Sequence, residues 1–295
     1  MTARLIDGKA IAGQITAELR TEVSRLRASG LQPGLAVVLV GDDPASASYV
    51  RAKRKACEEL GIHSETIHLP AQTSQEEVLA TLRRIVSDGW AHGLLVQLPL
   101  PPHIDERAIL EAIPPAMDVD GFHPINRGKL VSGEETLVPC TPAGIQELLL
   151  RSGFDPDGQH VVIVGRSQIV GLPLAILLAQ KAPGANATVT LCHSRTKDLA
   201  AVTRTADILV AALGRAQAIK ADMVRPGAVV IDVGVNRVQD PLSPKGYRLV
   251  GDVDFEAVSQ VAGAITPVPG GVGPMTIAML MRNTVKAAKA SLARH

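Results

Sequence analysis

Two α/β domains are the architecture this sequence predicts, and three observations predict it. The chain has 295 residues, enough for two cores of ordinary size. Hydrophobic residues make up 46% of it but aromatics only 2%, so the cores must be built from Ala, Val, Leu and Ile, a composition suited to sheets covered by helices. Short apolar runs alternate with helical stretches in two separate series, which implies parallel strands joined by crossover connections.

The first series opens with a helix over about Asp7 to Ser29, stopped at Gly30, and a buried strand over Leu35–Val40. Asp43-Pro44 supplies a cap and a first-turn proline for a helix that runs to Leu60 and ends at Gly61. A second strand lies near Ile62–Leu69. Ser74-Gln75-Glu76-Glu77 is a capping-box pattern, because the serine and the glutamate three residues on can each satisfy the other's free N–H, and the helix it opens runs to about Asp88. Gly93–Leu98 reads as a buried strand stopped by Pro99, Pro101 and Pro102. From Asp118 to Pro142 glycine and proline punctuate a stretch without periodicity, read as a connector.

The second series starts after a helix capped by Thr141-Pro142 and ending near Arg151. Strand His160–Val164, helix Val170–Lys181, strand Ala187–Cys192 and helix Lys197–Thr205 follow, with further strands at Ile208–Ala211, Val229–Val233 and Tyr247–Val250. A last helix, Met275 to Leu292, carries Ile277, Leu280, Met281 and Val285 at helical spacing, so it packs on a domain.

Bulk properties exclude several roles. A formal net charge of +1 gives no general attraction to nucleic acid or to a membrane surface. No window reaches the roughly 18 apolar residues of a membrane span. Cys57, Cys140 and Cys192 are far apart and odd in number, which fits a reducing compartment, and Met1 to Ala12 lacks a signal peptide's apolar run, so a cytoplasmic location is expected.

Four polar residues of the first domain are candidates for chemistry. Tyr49 and Lys53 are four apart on one helix, so both emerge on one face, where a phenol and an amine could stack, hydrogen-bond and move protons; ordinary surface packing is the alternative. Gln97 interrupts an apolar strand at its carboxyl end, where open α/β sheets place their sites; it is either part of one or a structural amide bonded to nearby backbone. Asp120 stands in Met117-Asp118-Val119-Asp120-Gly121-Phe122-His123, where Asp-Gly alone means a turn. Asp118, Asp120 and His123 lack a recognised ligand spacing, and no metal is expected.

In the second domain the strand His160–Val164 runs into Gly165-Arg166-Ser167-Gln168-Ile169-Val170-Gly171-Leu172-Pro173 and then a helix, an order that aims backbone N–H groups at a pyrophosphate. Arg166 and Gln168 depart from the generic dinucleotide fingerprint, so a plain strand–helix turn stays open on this stretch alone. The next strand ends Leu191-Cys192-His193-Ser194-Arg195-Thr196, without the carboxylate that an NAD site uses to bind ribose hydroxyls. Ser194 and Arg195 could instead donate to a 2′-phosphate, so the expected cofactor is NADP; a solvated loop cation is the other reading of Arg195. Pro267-Val268-Pro269-Gly270-Gly271-Val272-Gly273-Pro274-Met275-Thr276 forms a stiff loop whose glycines permit close approach to a flat ligand, or a structural hinge.

Five of these stretches together resemble one family, the bifunctional methylenetetrahydrofolate dehydrogenase/methenyltetrahydrofolate cyclohydrolases: Tyr49-Val50-x-x-Lys53, Val96-Gln97-Leu98-Pro99-Leu100-Pro101, Asp118-Val119-Asp120-Gly121-Phe122, Gly165-Arg166-Ser167-x-Ile169-Val170-Gly171-x-Pro173 and Pro269-Gly270-Gly271-Val272-Gly273-Pro274-Met275-Thr276. The resemblance implies a homodimer whose subunits have two α/β domains around a cleft: a folate-binding catalytic domain of residues 1–140 plus 275–295, and a Rossmann-like NADP-binding domain of residues 141–274. It implies that Tyr49 stacks on the aminobenzoyl ring of a folate substrate, that Lys53 is the acid/base group oriented by Gln97, and that Asp120 binds the pterin. Pro269, Gly270 and Gly273 would line the same site, with Gly165, Arg166, Ser167, Ser194 and Val235 on the cofactor. The activities implied are NADP-dependent oxidation of methylenetetrahydrofolate and hydrolysis of the product. A dehydrogenase alone, a non-catalytic NADP- or folate-binding regulator and an unrelated NADP dehydrogenase are the rival readings, and intact Lys53 and Gln97 argue against the regulator.

Overall fold

The computed structural model describes residues 2–243 and 246–292. In chain order the elements are β1 (Arg4–Leu5), α1 (Gly8–Ala28), β2 (Gly34–Val40), α2 (Pro44–Leu60), β3 (His63–Leu69), α3 (Gln75–Asp88), β4 (Gly93–Val96), α4 (Glu106–Glu111), α5 (Pro124–Ser132), α6 (Cys140–Arg151), β5 (His160–Val164), α7 (Gly171–Ala179), β6 (Thr188–Cys192), α8 (Leu199–Thr203), β7 (Ile208–Ala211), β8 (Val229–Asp232), β9 (Asn236–Gln239), β10 (Tyr247–Val250), α9 (Phe255–Val258), β11 (Ala264–Ile265) and α10 (Val272–Leu292). They fall into two compact units, one of Gln14–Cys140 with Ile277–His295, the other of Met1–Gly13 with Thr141–Thr276.

The first of these units is built on a parallel three-stranded sheet of order β3-β2-β4, with Val37 opposite Thr66 on one side and Leu95 on the other. β2 is buried along its whole length, which is why Gly-Leu-Ala-Val-Val-Leu-Val shows no alternation, whereas the edge strand β3 is mostly polar, with Ile67 and Leu69 its only apolar residues and none of its side chains fully buried. Val78, Leu82 and Ile85 from α3 join Ala36, Val38, Leu94 and Val96 in one core. Leu82 is 1% exposed, and truncating it to Ala would cost roughly 2–5 kcal/mol. α2 and α3 carry the predicted ends: Asp43 accepts from Ser46 N–H at 2.7 Å, and Ser74 and Glu77 form a complete capping box.

Besides the four-residue α9, two short helices stand where the sequence reading has none. α4 follows the proline run, capped by Asp105, and α5 lies inside the predicted connector, its start capped by the His123 ring, which accepts from Ile125 N–H at 3.0 Å. Neither is long enough for apolar periodicity to register, so only their caps were there to be read.

The other unit holds a parallel six-stranded sheet of order β1-β11-β8-β7-β5-β6. The chain goes from β5 to the edge strand β6 and then to β7 on the far side of β5, so strand order reverses at β5 and a crevice opens beyond the carboxyl ends of β5 and β7. β10 departs from the parallel series: it pairs antiparallel with β9 as a separate ribbon, and β9 is half-exposed Asn-Arg-Val-Gln, too polar and short to read as a strand. β1 pairs with β11, with Ile6 N–H on Ile265 O at 2.9 Å, which puts residues 1–13 in this unit rather than with residues 14–140 as the domain expectation has it. Two residues of strand were too few to signal that pairing. Among the described residues no helix is long and apolar enough to cross a membrane.

Candidate functional site

α2 sets the first cluster. The four-residue spacing brings Tyr49 and Lys53 onto one face, yet their surroundings differ: Tyr49 is 49% exposed and Lys53 only 8%. β4 ends one residue before Gln97, whose own N–H donates to Val38 O at 2.8 Å and so continues the sheet's register. The Gln97 side chain then turns to Lys53. Its Oε1 accepts from Lys53 Nζ at 3.1 Å, and its Nε2 donates to Leu98 O at 2.8 Å. With the NH₂ group engaged by that carbonyl, the oxygen has to face the amine.

The same cluster takes in Asp120, presented by a loop that Asp118 organises. Asp118 is buried, and its carboxylate accepts from the N–H groups of Gly121 (3.1 Å), Phe122 (3.2 Å) and His123 (2.8 Å) and from Asn126 Nδ2 (2.9 Å). Gly121 is required at its position: φ is 74°, and a Cβ there would lie 2.5 Å from Pro139 N. Burial raises the Asp120 carboxyl above its ordinary range; the Lys53 ammonium pulls it back and the Asp118 carboxylate pushes it further up. Burial, then the Asp120 charge, raises the Cys140 thiol as well. Asn283 of α10 fastens the surround by donating to Val119 O at 2.8 Å and Val138 O at 2.9 Å. Asp118 and His123 thus hold the loop itself, and among the described residues no group of three His, Cys, Asp or Glu is arranged to hold a metal ion.

Sequence reasoning passed over Asp118, Cys140 and Asn283. An aspartate beside an Asp-Gly turn was the one available signal for Asp118; Cys140 and Asn283 gain their importance from contacts distant in sequence.

In the other unit, the crevice has a turn that could hold a dinucleotide at its centre. Gly165 follows β5 with φ 132°, and a Cβ there would lie 2.1 Å from Ala212 O at the end of β7. A Cβ on Gly171, at the start of α7, would lie 1.9 Å from Gly165 O. The turn therefore packs strand end, helix start and neighbouring strand at backbone distance, while Arg166 and Ser167 are exposed at its rim. Ser167 Oγ accepts from Val170 N–H at 3.1 Å and steadies the step into the helix. After β6, Ser194 and Arg195 are exposed on a turn closed by Thr196 N–H on His193 O at 2.9 Å, with no carboxylate among residues 193–196. Val235 follows β8 and is 51% exposed. A backbone cradle with a cationic, carboxylate-free strand end fits a dinucleotide carrying a 2′-phosphate. Pro269 and Gly270 belong to the loop between β11 and α10, held by Lys9 N–H on Gly270 O at 3.0 Å, and Gly273 lies in the first turn of α10. α10 starts at Val272, not Met275, because a proline is tolerated in a helix's first turn.

Residues 6–120 match the family model of the tetrahydrofolate dehydrogenase/cyclohydrolase catalytic domain, and residues 139–292 that of the tetrahydrofolate dehydrogenase/cyclohydrolase NAD(P)-binding domain. The bifunctional protein FolD of Moorella thermoacetica is 57% identical over 289 residues, covering 98% of this chain and 100% of that protein. Among solved structures, the bifunctional FolD methylenetetrahydrofolate dehydrogenase/cyclohydrolase of Campylobacter jejuni superposes with a TM-score of 0.92 at 49% identity, over 98% of this chain and 99% of that one. The Trypanosoma brucei methylenetetrahydrofolate dehydrogenase-cyclohydrolase, solved with NADP cofactor and inhibitor, gives a TM-score of 0.93 at 43% identity, over 99% of each chain.

Proposed function

The chain belongs to the tetrahydrofolate dehydrogenase/cyclohydrolase family, and from that premise we propose how its residues divide two reactions. The protein oxidises 5,10-methylenetetrahydrofolate with NADP to 5,10-methenyltetrahydrofolate, then hydrolyses that product to 10-formyltetrahydrofolate. The observation that carries the division of labour is the buried Lys53 amine aimed by Gln97.

The methylene carbon lies between two nitrogens, so loss of hydride leaves a cation delocalised over both, and no proton has to leave with it. Oxidation therefore asks the protein chiefly for placement. Tyr49 offers an exposed ring on which the aminobenzoyl group stacks, and Asp120 offers carboxyl oxygens to the pterin's N–H donors. NADP, when bound, supplies the hydride acceptor, and Gly165, Arg166, Ser167, Ser194, Arg195 and Val235 hold it.

Hydrolysis makes a different demand. Water must lose a proton as it attacks the methenyl carbon, and a ring nitrogen must gain one as the ring opens. Lys53 Nζ takes the first proton as the neutral amine, and the ammonium so formed gives a proton to the ring nitrogen, which regenerates the amine. Gln97 Oε1 keeps that nitrogen aimed throughout, because the amine and the ammonium both have an N–H to donate to it. The free edge of β3 and the three unpaired thiols suit the homodimer and the cytoplasmic location that complete this reading.

A two-part spectrophotometric assay of the purified protein tests it. Methylenetetrahydrofolate with NADP is expected to yield NADPH, and methenyltetrahydrofolate alone is expected to open faster than in buffer. NADPH formation without accelerated opening would reduce the protein to a dehydrogenase; silence in both would overturn the reading.

A further inference from the structure

Two buried aspartates at the crevice are absorbed neither by cofactor contact nor by catalysis. Asp232 ends β8 and Asp252 follows β10, 3% and 0% exposed. Asp252 accepts from the N–H groups of Leu213 (2.6 Å), Gly214 (2.8 Å) and Arg215 (2.9 Å) and from Asn236 Nδ2 (2.9 Å). Asp232 accepts from the N–H groups of Gly234 (3.0 Å), Asp252 (2.9 Å) and Val253 (3.0 Å). The two stretches are reciprocal in shape. A Cβ on Gly234 would lie 2.2 Å from Asp252 Oδ1, and one on Gly251 would lie 1.7 Å from Asp232 Oδ2, so each carboxylate fills the space left by the glycine on the opposite stretch.

Burying two carboxylates is costly, and apolar residues would pack such a space without that cost. What the carboxylates add is direction. Three successive N–H groups converging on one point make a concavity that commonly binds an anion. Here it stands just after β7, where Ala212, the residue that follows the strand, leaves no room for a Cβ on Gly165, and it is filled from within by Asp252. A ligand phosphate is thereby kept off this loop, leaving the Gly165–Ser167 turn as the phosphate end. The same carboxylate fixes the path of Leu213–Arg215 and, through Asn236, of the segment that presents Val235.

We infer that Asp252 is a positioning residue for NADP: without touching the cofactor, it holds the Leu213–Arg215 loop and the Val235–Asn236 segment in the shape dinucleotide binding requires. The inference rests on the NADP reading above. Its test is the NADP dissociation constant of the full chain by calorimetry, with cofactor-independent opening of methenyltetrahydrofolate and the ligand-free unfolding midpoint as companions.

Asp252→Asn keeps the size of the side chain but replaces one acceptor oxygen with a donor. It is expected to weaken NADP binding about tenfold or more while ring opening stays within about twofold. An unchanged constant in the folded variant overturns the inference, as does a parallel loss of ring opening, which would mark general damage. Should Asp252→Asn fail to fold, Asn236→Ala decides. Removing one of the four donors is expected to weaken NADP binding roughly threefold, and no change overturns the inference. An unaltered protein that opens methenyltetrahydrofolate but binds no NADP would instead bring down the cofactor reading itself.

Discussion

The Lys53 cluster and the Asp232–Asp252 pair are both buried charge, yet their hydrogen bonding is opposite in kind. Each aspartate is surrounded by donors, four on Asp252 and three on Asp232, most of them backbone N–H groups. Lys53 donates to one acceptor among the described residues, Gln97, although an ammonium has three N–H groups. A buried charge whose capacity is filled by the protein's own backbone fixes loops and has little left for a ligand. One held by a single amide keeps capacity for a further partner. The first arrangement reads as architecture and the second as chemistry.

The sharpest way to break that contrast is to remove the unsaturated charge. Lys53→Met keeps the length of the chain but has no proton to give or take. Cyclohydrolase activity is expected to fall by about two to four orders of magnitude, the usual worth of a general acid–base group, and dehydrogenase activity by less than about tenfold. Ring-opening and NADPH-formation rates on one preparation decide the matter. Equal losses would mean that Lys53 only shapes the folate site and that the proton transfers lie elsewhere.

The two clusters were not equally legible. Tyr49 and Lys53 share a face because of a spacing visible in any helix, and Gln97 betrayed itself as a polar residue ending an apolar strand. The strands and long helices were readable for the same reason, since caps, stops and periodicity are local. Asp118 and Asp120 are two apart in one loop, and no local rule says which carboxylate holds the backbone and which is presented. Asp252 was less visible still. Its donors lie on Leu213–Arg215 and Asn236, reached only after the sheet has formed, and its need for Gly234 is a matter of space rather than turn chemistry. β1 escaped because its partner β11 is near the other end of the chain.

A second prediction turns on protonation within the saturated pair. Burial pushes the Asp232 carboxyl up to about 6 from 3.8, against the pull of the Val253, Asp252 and Gly234 N–H groups and with the Asp252 carboxylate adding to the push. The folded protein thus keeps a proton on Asp232 in a range where the unfolded chain has lost it. The resulting stability is complete below about pH 4 and declines as pH rises through about 6, by roughly 3 kcal/mol at most. Denaturant midpoints of the unaltered protein and of Asp232→Asn between pH 4 and 8 isolate this contribution, because an amide does not titrate. The stability difference between the two is expected to fall across that window and to level off above pH 7. A difference flat throughout would mean that the three N–H donors keep Asp232 ionised, making the pair a fully charged clamp.

The smallest effect expected lies at the exposed end of the same unit, where charge is screened by water. Arg195 sits on a turn fixed by its own N–H on His193 Nδ1 at 3.1 Å and by His193 N–H on Thr196 Oγ1 at 2.9 Å. Backbone position is therefore set independently of the guanidinium, which makes no ion pair among the described residues and is left facing solvent. Arg195→Asp should leave the turn in place while setting a carboxylate where a 2′-phosphate would come. The preference for NADP over NAD, as a ratio of kcat/KM values, is expected to fall roughly tenfold, about 1.4 kcal/mol. The fall should shrink as salt is raised, since an exposed charge is screened within about 10 Å at 0.1 M. A ratio that does not move would make Arg195 an ordinary solvated cation and leave Ser194 and Arg166 to recognise the phosphate; a fall indifferent to salt would mean that the phosphate is held out of water, in a pocket more enclosed than the exposed turn suggests.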